Sequence, residues 1–242
     1  MWINILVLLI AALAGGLMAY KFRSTEKFPF DLALVFAGAY LFSITIVHVI
    51  PELFTSTKAP VTAGIFVLAG FYLQQILEYL TSGVEHGHMH LPQGQHKHSF
   101  GMAISLIVGL SVHSLLEGTL LGHPTETSPS GSWSLLLGVV LHKVPAAFAM
   151  MTVLLCQFDK AKWPLIFLIL FALASPLGVV FSETVVLGSL AGEILFALVT
   201  GSFLHISTTI VFESSPGHKF KFSRIGISIL GAVVAILVQG LL

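Results

Sequence analysis

Residues 133–156 read WSLLLGVVLHKVPAAFAMMTVLLC, in which His142 and Lys143 are the only basic residues and no residue is acidic. About 20 predominantly apolar residues are enough for a helix to cross the hydrocarbon core of a bilayer. The stretch lacks the alternation of a strand, and lipid accommodates only helices or closed barrels. It therefore predicts a transmembrane helix that carries two polar groups near its middle.

The same reasoning extends to the rest of the chain. Only 9% of the 242 residues are charged and 56% are hydrophobic, whereas soluble domains carry about 25% charged residues. This composition excludes an ordinary soluble globule, a disordered chain and a basic nucleic-acid binder. The lone Cys156 excludes a disulfide framework, a CxxC redox pair and a thiolate zinc site. We predict a single all-α membrane domain over residues 1–242 with eight spans, at about 2–20, 29–50, 60–80, 100–122, 133–156, 163–181, 190–212 and 224–242.

The basic residues predict the orientation of these spans. The first run has no positive leader and is followed by Lys21 and Arg23, so we interpret it as a retained helix and not a signal peptide. With eight spans, nine of the 11 basic residues fall on one side: Lys21, Arg23, Lys27, Lys97, Lys160, Lys162, Lys219, Lys221 and Arg224. The positive-inside rule makes that side cytoplasmic. We therefore expect a multi-pass protein of the cell (inner) membrane with both termini non-cytoplasmic.

The longest connection, residues 81–99, lies on the predicted cytoplasmic side and is rich in histidine. It reads TSGVEHGHMHLPQGQHKHS and includes His86 and His88. Short histidine-rich tracts are typical of metal binding. A plain solvated loop is the alternative.

Spans 4 and 5 carry polar groups that are costly inside a membrane. His113 and Glu117 lie four residues apart on span 4 and therefore share one helix face. His113 lies nine residues from Gly122, and His142 lies nine residues from Trp133. At ~1.5 Å per residue both imidazoles lie about 13–14 Å below the same surface. Two imidazoles and a carboxylate suit Zn²⁺, with Fe²⁺ or Mn²⁺ as alternatives. A buried structural hydrogen-bond network is the other interpretation.

Four motifs together resemble the ZIP (Zrt/Irt-like protein) family of divalent-metal transporters. They are HSLLEG at 113–118, HKVPAA at 142–147, HVIPE at 48–52 and GSFLHIS at 201–207. The resemblance covers essentially the whole chain. It implies movement of zinc, or of iron or manganese, toward the cytoplasm through a site between spans 4 and 5. It also implies a 3+2+3 inverted-repeat bundle in which spans 4 and 5 are central.

The chain departs from the usual family pattern at several site positions. Ser114 replaces an Asn or similar residue, Lys143 and Ala146 replace acids, and Ser175-Pro176 replaces Glu-Pro. The fifth span resembles a subgroup that reads His-Lys-x-Pro-Ala-Ala. We interpret Lys143, with Ser114, as the replacement of a second metal site. Its ammonium either pairs with Glu117, or burial deprotonates it and makes it a weak ligand or proton acceptor.

Further polar residues mark approaches to this site. His48 and Glu52 flank Pro51 at the predicted outer end of span 2, where they either collect cations or mark a wetted helix end. The resemblance places exit ligands on spans 3 and 7 and in the loop, and this matches Glu78, His86, His88 and Glu213. His205 and Ser175 are auxiliary pathway candidates. Residues 43–47 and 207–211 share Ser-x-Thr-Ile-Val, as inverted repeats would.

These observations predict a transporter with no resident cofactor and no catalytic residues. We expect its partners to be divalent metal ions and the lipid bilayer, and we expect no nucleic acid among them. Assembly into a homodimer is a further hypothesis. One alternative is an intramembrane zinc-dependent hydrolase, in which the two histidines and Glu117 hold a zinc-bound water. The absence of HExxH argues against it. A haem-binding electron carrier is a third hypothesis, and the lack of CxxCH and the presence of Glu117 and Lys143 disfavour it.

Overall fold

The computed structural model describes residues 2–22, 30–81, 100–122, 129–184, 189–213 and 222–241. His86, His88 and almost all of the histidine-rich loop lie outside these ranges. All regular structure within them is helical, which confirms the all-α prediction.

Within these ranges, eight helical units are long and apolar enough to cross a membrane, as predicted. Span 1 is α1 (Trp2–Phe22), and span 2 consists of α2 (Phe30–Ile44), the first π segment (Thr45–Val49) and α3 (Ile50–Ser56). Spans 3 to 6 are α4 (Pro60–Thr81), α5 (Phe100–Gly122), α6 (Pro129–Gln157) and α7 (Lys162–Thr184). Span 7 consists of α8 (Ser189–Thr208) and the second π segment (Thr209–Glu213), and span 8 is α9 (Phe222–Leu241).

Two of the spans differ most in extent from the sequence prediction. Span 2 continues through the first π segment and α3 to Ser56, past the predicted end near residue 50. Span 5 begins at Pro129 and continues without a break through Pro145. In a membrane, Pro can stay inside a helix because neighbouring groups satisfy the backbone carbonyl that it frees.

The helix pairing follows an internal symmetry. Span 1 packs along span 5, and span 6 packs along span 4. Span 2 packs along span 8, and span 7 packs along span 3. If spans 1, 2 and 3 are exchanged with spans 6, 7 and 8, and span 4 with span 5, then the pair of spans 1 and 5 becomes the pair of spans 6 and 4. In the same way, the pair of spans 2 and 8 becomes the pair of spans 7 and 3. This pairing is the one expected of a 3+2+3 inverted repeat.

Local features repeat at equivalent positions of the two halves. A Cβ on Gly15 of span 1 would lie 2.2 Å from the carbonyl oxygen of Val144, and one on Gly178 of span 6 would lie 2.1 Å from that of Leu115. Both positions therefore need glycine for close backbone approach. The two π segments begin at the threonines of the repeated Ser-x-Thr-Ile-Val. Each of these hydroxyls, on Thr45 and Thr209, donates to the carbonyl four residues earlier.

Two hydrophobic clusters divide the bundle along its length. The terminal-side cluster lies toward the chain ends and includes Leu8, Ile44, Leu120, Val139 and Phe203. The loop-side cluster lies toward the other end and includes Ala19, Leu106, Leu110, Met150 and Phe171. On span 4, His113 and Glu117 lie between the residues of the two clusters. On span 5, His142 follows Val139 and precedes Ala147, so the polar groups lie at the middle of the bundle.

Candidate metal centre

The two histidines of spans 4 and 5 converge on one carboxylate oxygen. Nε2 of His113 lies 2.7 Å from Oε1 of Glu117, and Nε2 of His142 contacts the same oxygen. The helical turn between residues 113 and 117 brings the first pair together. The antiparallel crossing of span 5 supplies the second imidazole at the same depth.

These three side chains have the donor set of a metal site. Their ligand atoms lie within 4.8 Å of one another, and all three residues are buried. Among the described residues no other group of three His, Cys, Asp or Glu meets this description. Two imidazoles and a carboxylate match three-ligand zinc sites that leave a fourth position open. The structure therefore brings together the three residues that the sequence analysis assigned to the metal.

Hydrogen bonding selects the metal-facing nitrogen of His142. Its Nδ1 lies 3.1 Å from the carbonyl oxygen of Gly138, which can only accept. Nδ1 therefore carries a proton, and Nε2, which faces Glu117, is the nitrogen left to bind a metal. Such an outer-shell hydrogen bond fixes both the tautomer and the ring orientation of a ligand histidine.

Lys143 occupies the other side of the Glu117 carboxylate. Its Nζ lies 3.1 Å from Oε2 of Glu117 and 2.7 Å from Oγ of Ser175, and it also contacts Oγ of Ser114. Three acceptors match the three donors of an ammonium. Only 1% of Lys143 is exposed, and Nζ lies 4.9 Å from the ring centroid of Phe171. The contacts correspond to the ion-paired interpretation of Lys143, whereas a metal-ligand role would direct Nζ toward the imidazoles.

Ser175 links this cluster to span 6. Its hydroxyl donates to the carbonyl oxygen of Ser114 at 2.6 Å, and the two serine hydroxyls are 2.9 Å apart. Both side chains are fully buried. Ser175 thus contacts Lys143, not the three candidate metal ligands.

A small cavity adjoins the three ligands on the side of the loop-side cluster. Leu110, one turn before His113, and Ala146, one turn after His142, line it together with Phe171. Ile206 and Ile210 of span 7 complete its wall. The packed apolar side chains of the terminal-side cluster lie on the opposite side.

A row of buried polar side chains runs from His113 along spans 3 and 7. Ser202 lies 3.4 Å from Nδ1 of His113 and donates to Gln74 at 2.8 Å. About one turn further along the same two spans, Nε2 of His205 lies 2.6 Å from Oε2 of Glu78. His205 and Glu78 were predicted separately from the sequence, and the structure pairs them. Ser202 was not predicted, although it lies three residues before His205 on the same helix face, a position that could have indicated it.

The remaining predicted residues lie farther from the centre. Nε2 of His48 is 3.4 Å from Oε2 of Glu52, and Nδ1 of His48 is 3.2 Å from Nε2 of Gln239 on span 8. This pair is separate from the central three. Glu213 ends the second π segment, but its side chain, like His86 and His88, lies outside what the structure describes.

Comparison with known proteins adds an independent finding. The model of the family described as ZIP Zinc transporter matches residues 81–239. Zinc transporter ZIP1 of Danio rerio is 27% identical over 158 residues, which cover 61% of this chain and 51% of that protein. Zinc transporter ZIP2 of Homo sapiens is 30% identical over 130 residues, which cover 50% of this chain and 40% of that protein. Protein zntD of Dictyostelium discoideum is 28% identical over 148 residues, 56% of this chain and 21% of that protein.

The chain spans between about a fifth and a half of the length of these relatives. The family match covers well over half of the chain and includes both histidine motifs of spans 4 and 5. Together with the eight apolar helices, it identifies an integral multi-pass membrane protein. The chain belongs to the ZIP zinc transporter family.

Proposed function

We propose that this protein transports a divalent metal cation, Zn²⁺ in the first place, through a site formed by His113, Glu117 and His142. The observation that carries the proposal is the convergence of three buried ligand atoms at mid-depth between spans 4 and 5. Burying an ionisable group in a membrane is expensive, so such groups usually serve a transported ion or proton. Fe²⁺ and Mn²⁺ suit the same donors less specifically.

We further propose that metal moves toward the cytoplasm, which we assign to the side of the loop-side cluster. The excess of basic residues on that side supports the assignment. The cavity beside the ligands extends the same way, and the polar row ends there at Glu78 and His205. His48 and Glu52 would receive the ion from the opposite, non-cytoplasmic side. We place both termini on that side, in a protein of the cell (inner) membrane.

The contacts of Lys143 support a site that holds one ion at a time. Its ammonium neutralises the carboxylate oxygen that faces away from the imidazoles. A second divalent ion at that position would face an unscreened positive charge in a medium of low dielectric constant. We therefore assign Lys143, with Ser114, as the replacement of a second metal, in line with a His-Lys-x-Pro-Ala-Ala subgroup.

The hydrolase hypothesis is weaker, although it would use the same three ligands. The hydroxyl groups of Ser114 and Ser175 contact Lys143, and that of Ser202 donates to Gln74. Family membership also favours transport over hydrolysis or electron transfer.

The experiment is zinc flux into proteoliposomes with a fluorescent zinc indicator inside. We expect His113→Ala and His142→Ala each to abolish flux, because each removes one of three ligands. Thr152→Ala is the matched control, since its hydroxyl only donates to the carbonyl of Phe148 on span 5. Flux at the unaltered rate in the double histidine variant would reject this site. Faster flux of Mn²⁺ or Fe²⁺ than of Zn²⁺ would show that zinc is not the preferred substrate.

A further inference from the structure

His113 and His142 present the same nitrogen to Glu117, but different groups hold their other nitrogen. His142 contacts a carbonyl of its own helix. Nδ1 of His113 instead lies 3.4 Å from the hydroxyl of Ser202, which belongs to span 7. The orientation of one candidate ligand therefore depends on a neighbouring span.

The direction of this hydrogen bond follows from counting protons. A serine hydroxyl has one proton to donate. Ser202 donates it to Oε1 of Gln74 on span 3, at 2.8 Å. Toward His113, its oxygen can then only accept. Nδ1 of His113 must therefore carry a proton, and Nε2, which faces Oε1 of Glu117, is the nitrogen left to bind a metal.

Burial favours this arrangement of hydrogen bonds. Gln74 is fully buried and Ser202 is 2% exposed, so bulk water does not compete for these groups. Buried polar groups are costly when unpaired, which favours the one arrangement that satisfies all of them. We propose that Ser202 and Gln74 are positioning residues that set the tautomer of His113 and thereby the metal affinity of the central site. The proposal rests on the proposed function in that it takes His113 as a metal ligand.

The test is zinc binding by calorimetry with the purified full-length protein. Ser202→Ala removes the acceptor for Nδ1. Gln74→Met removes the carbonyl and frees the serine proton to turn toward His113, which favours the wrong tautomer. We expect zinc affinity to fall about 10- to 100-fold in both variants, the range for loss of an outer-shell partner. Ser207→Ala is the control, because this fully buried serine of span 7 donates only to backbone carbonyls, and its zinc affinity should match that of the unaltered protein.

A second measurement separates positioning from general packing. Nitrogen NMR of labelled histidine distinguishes the two tautomers, and the His113 signals are those missing in His113→Ala. We expect Nδ1 of His113 to be protonated in the zinc-free unaltered protein. In Ser202→Ala and Gln74→Met the other tautomer should gain population, and Ser202→Thr, which keeps the hydroxyl, should restore both tautomer and affinity.

The outcomes distinguish this proposal from the proposed function. Lost zinc binding in His113→Ala, with unchanged tautomer and affinity in Ser202→Ala and Gln74→Met, would overturn the positioning role and leave the metal site intact. Unchanged zinc binding in His113→Ala would overturn the metal site and the positioning role with it. Equal loss of affinity in Ser202→Ala and Ser207→Ala, with no change of tautomer, would also overturn the positioning role.

Discussion

The site is built from two segments, one on span 4 and one on span 5, whose positions correspond one to one but whose charged residues differ. Adding 29 to each number of the span 4 segment 113–118 gives the span 5 segment 142–147. His113 then matches His142. Ser114 matches Lys143, and Glu117 matches Ala146. The two helices therefore have an imidazole at the same position, whereas the carboxylate lies on span 4 and the ammonium on span 5.

This division explains the contacts at the centre. Glu117 has one oxygen toward the two imidazoles and the other toward the Lys143 ammonium. Carboxylates in both segments would repel each other unless cations lay between them. With a lysine in one segment, the charges of Glu117 and Lys143 offset each other within one ion pair.

The largest effect is expected from breaking the charge pair. Glu117→Gln removes a ligand and leaves the buried Lys143 ammonium without its counter-charge. Removing one partner of a buried pair typically costs about 3–5 kcal/mol. We expect a large fall in thermal stability and a loss of zinc affinity greater than the roughly 10- to 100-fold typical of outer-shell changes. Thermal unfolding and calorimetry measure the two effects.

The matched control for this variant removes both charges. Glu117→Gln with Lys143→Met should regain most of the lost stability and none of the zinc binding. If the double variant were as unstable as Glu117→Gln alone, the ion pair would not be the cause.

A smaller effect, on stoichiometry, is expected from making the two segments alike. Lys143→Asp with Ala146→Glu gives the span 5 segment carboxylates of its own. We expect calorimetry to report two bound Zn²⁺ where the unaltered protein binds one. Ala146→Glu alone is the control, because Lys143 would pair with the new carboxylate and keep the count at one. An unchanged count in the double variant would contradict the idea that the lysine replaces a second ion.

The smallest effect tests the symmetry outside the site. Gly15→Ala and Gly178→Ala each place a methyl group against a backbone carbonyl of the partner span. We expect each to lower stability by about 1–3 kcal/mol, as overpacking does. Gly64→Ala is the control, because a Cβ there meets nothing within 4 Å. Thermal unfolding should show similar losses for the first two and none for the third, and a marked difference between Gly15→Ala and Gly178→Ala would mean that the repeat is not equivalent at these contacts.

Much of the fold was predictable because each span is decided locally. A run of about 20 apolar residues has few alternatives to a membrane helix, and all eight predicted spans are confirmed. The predicted end of span 2 was several residues too early, since a helix can continue beyond its most apolar stretch. The depth match of His113 and His142 was also predictable, because helical rise converts residue counts into distance.

The partners of the polar groups were harder to predict. Lys143 was left between two interpretations, and the choice depends on Ser114 and Ser175 being close enough to accept its protons. Likewise, His205 and Glu78 are 127 residues apart and meet only because spans 7 and 3 pack along each other. Sequence spacing carries no information about such contacts.

Composition and sequence order alone determined the membrane class, the number of spans and the three candidate ligands, because hydrophobic length and helical spacing act within one segment. The tertiary structure decided which oxygen of Glu117 faces the imidazoles, which group holds each histidine tautomer and where the lysine charge is neutralised. Those choices depend on the rotation and crossing of packed helices. Buried polar groups need partners, and for Lys143, His113 and His205 neighbouring helices supply them.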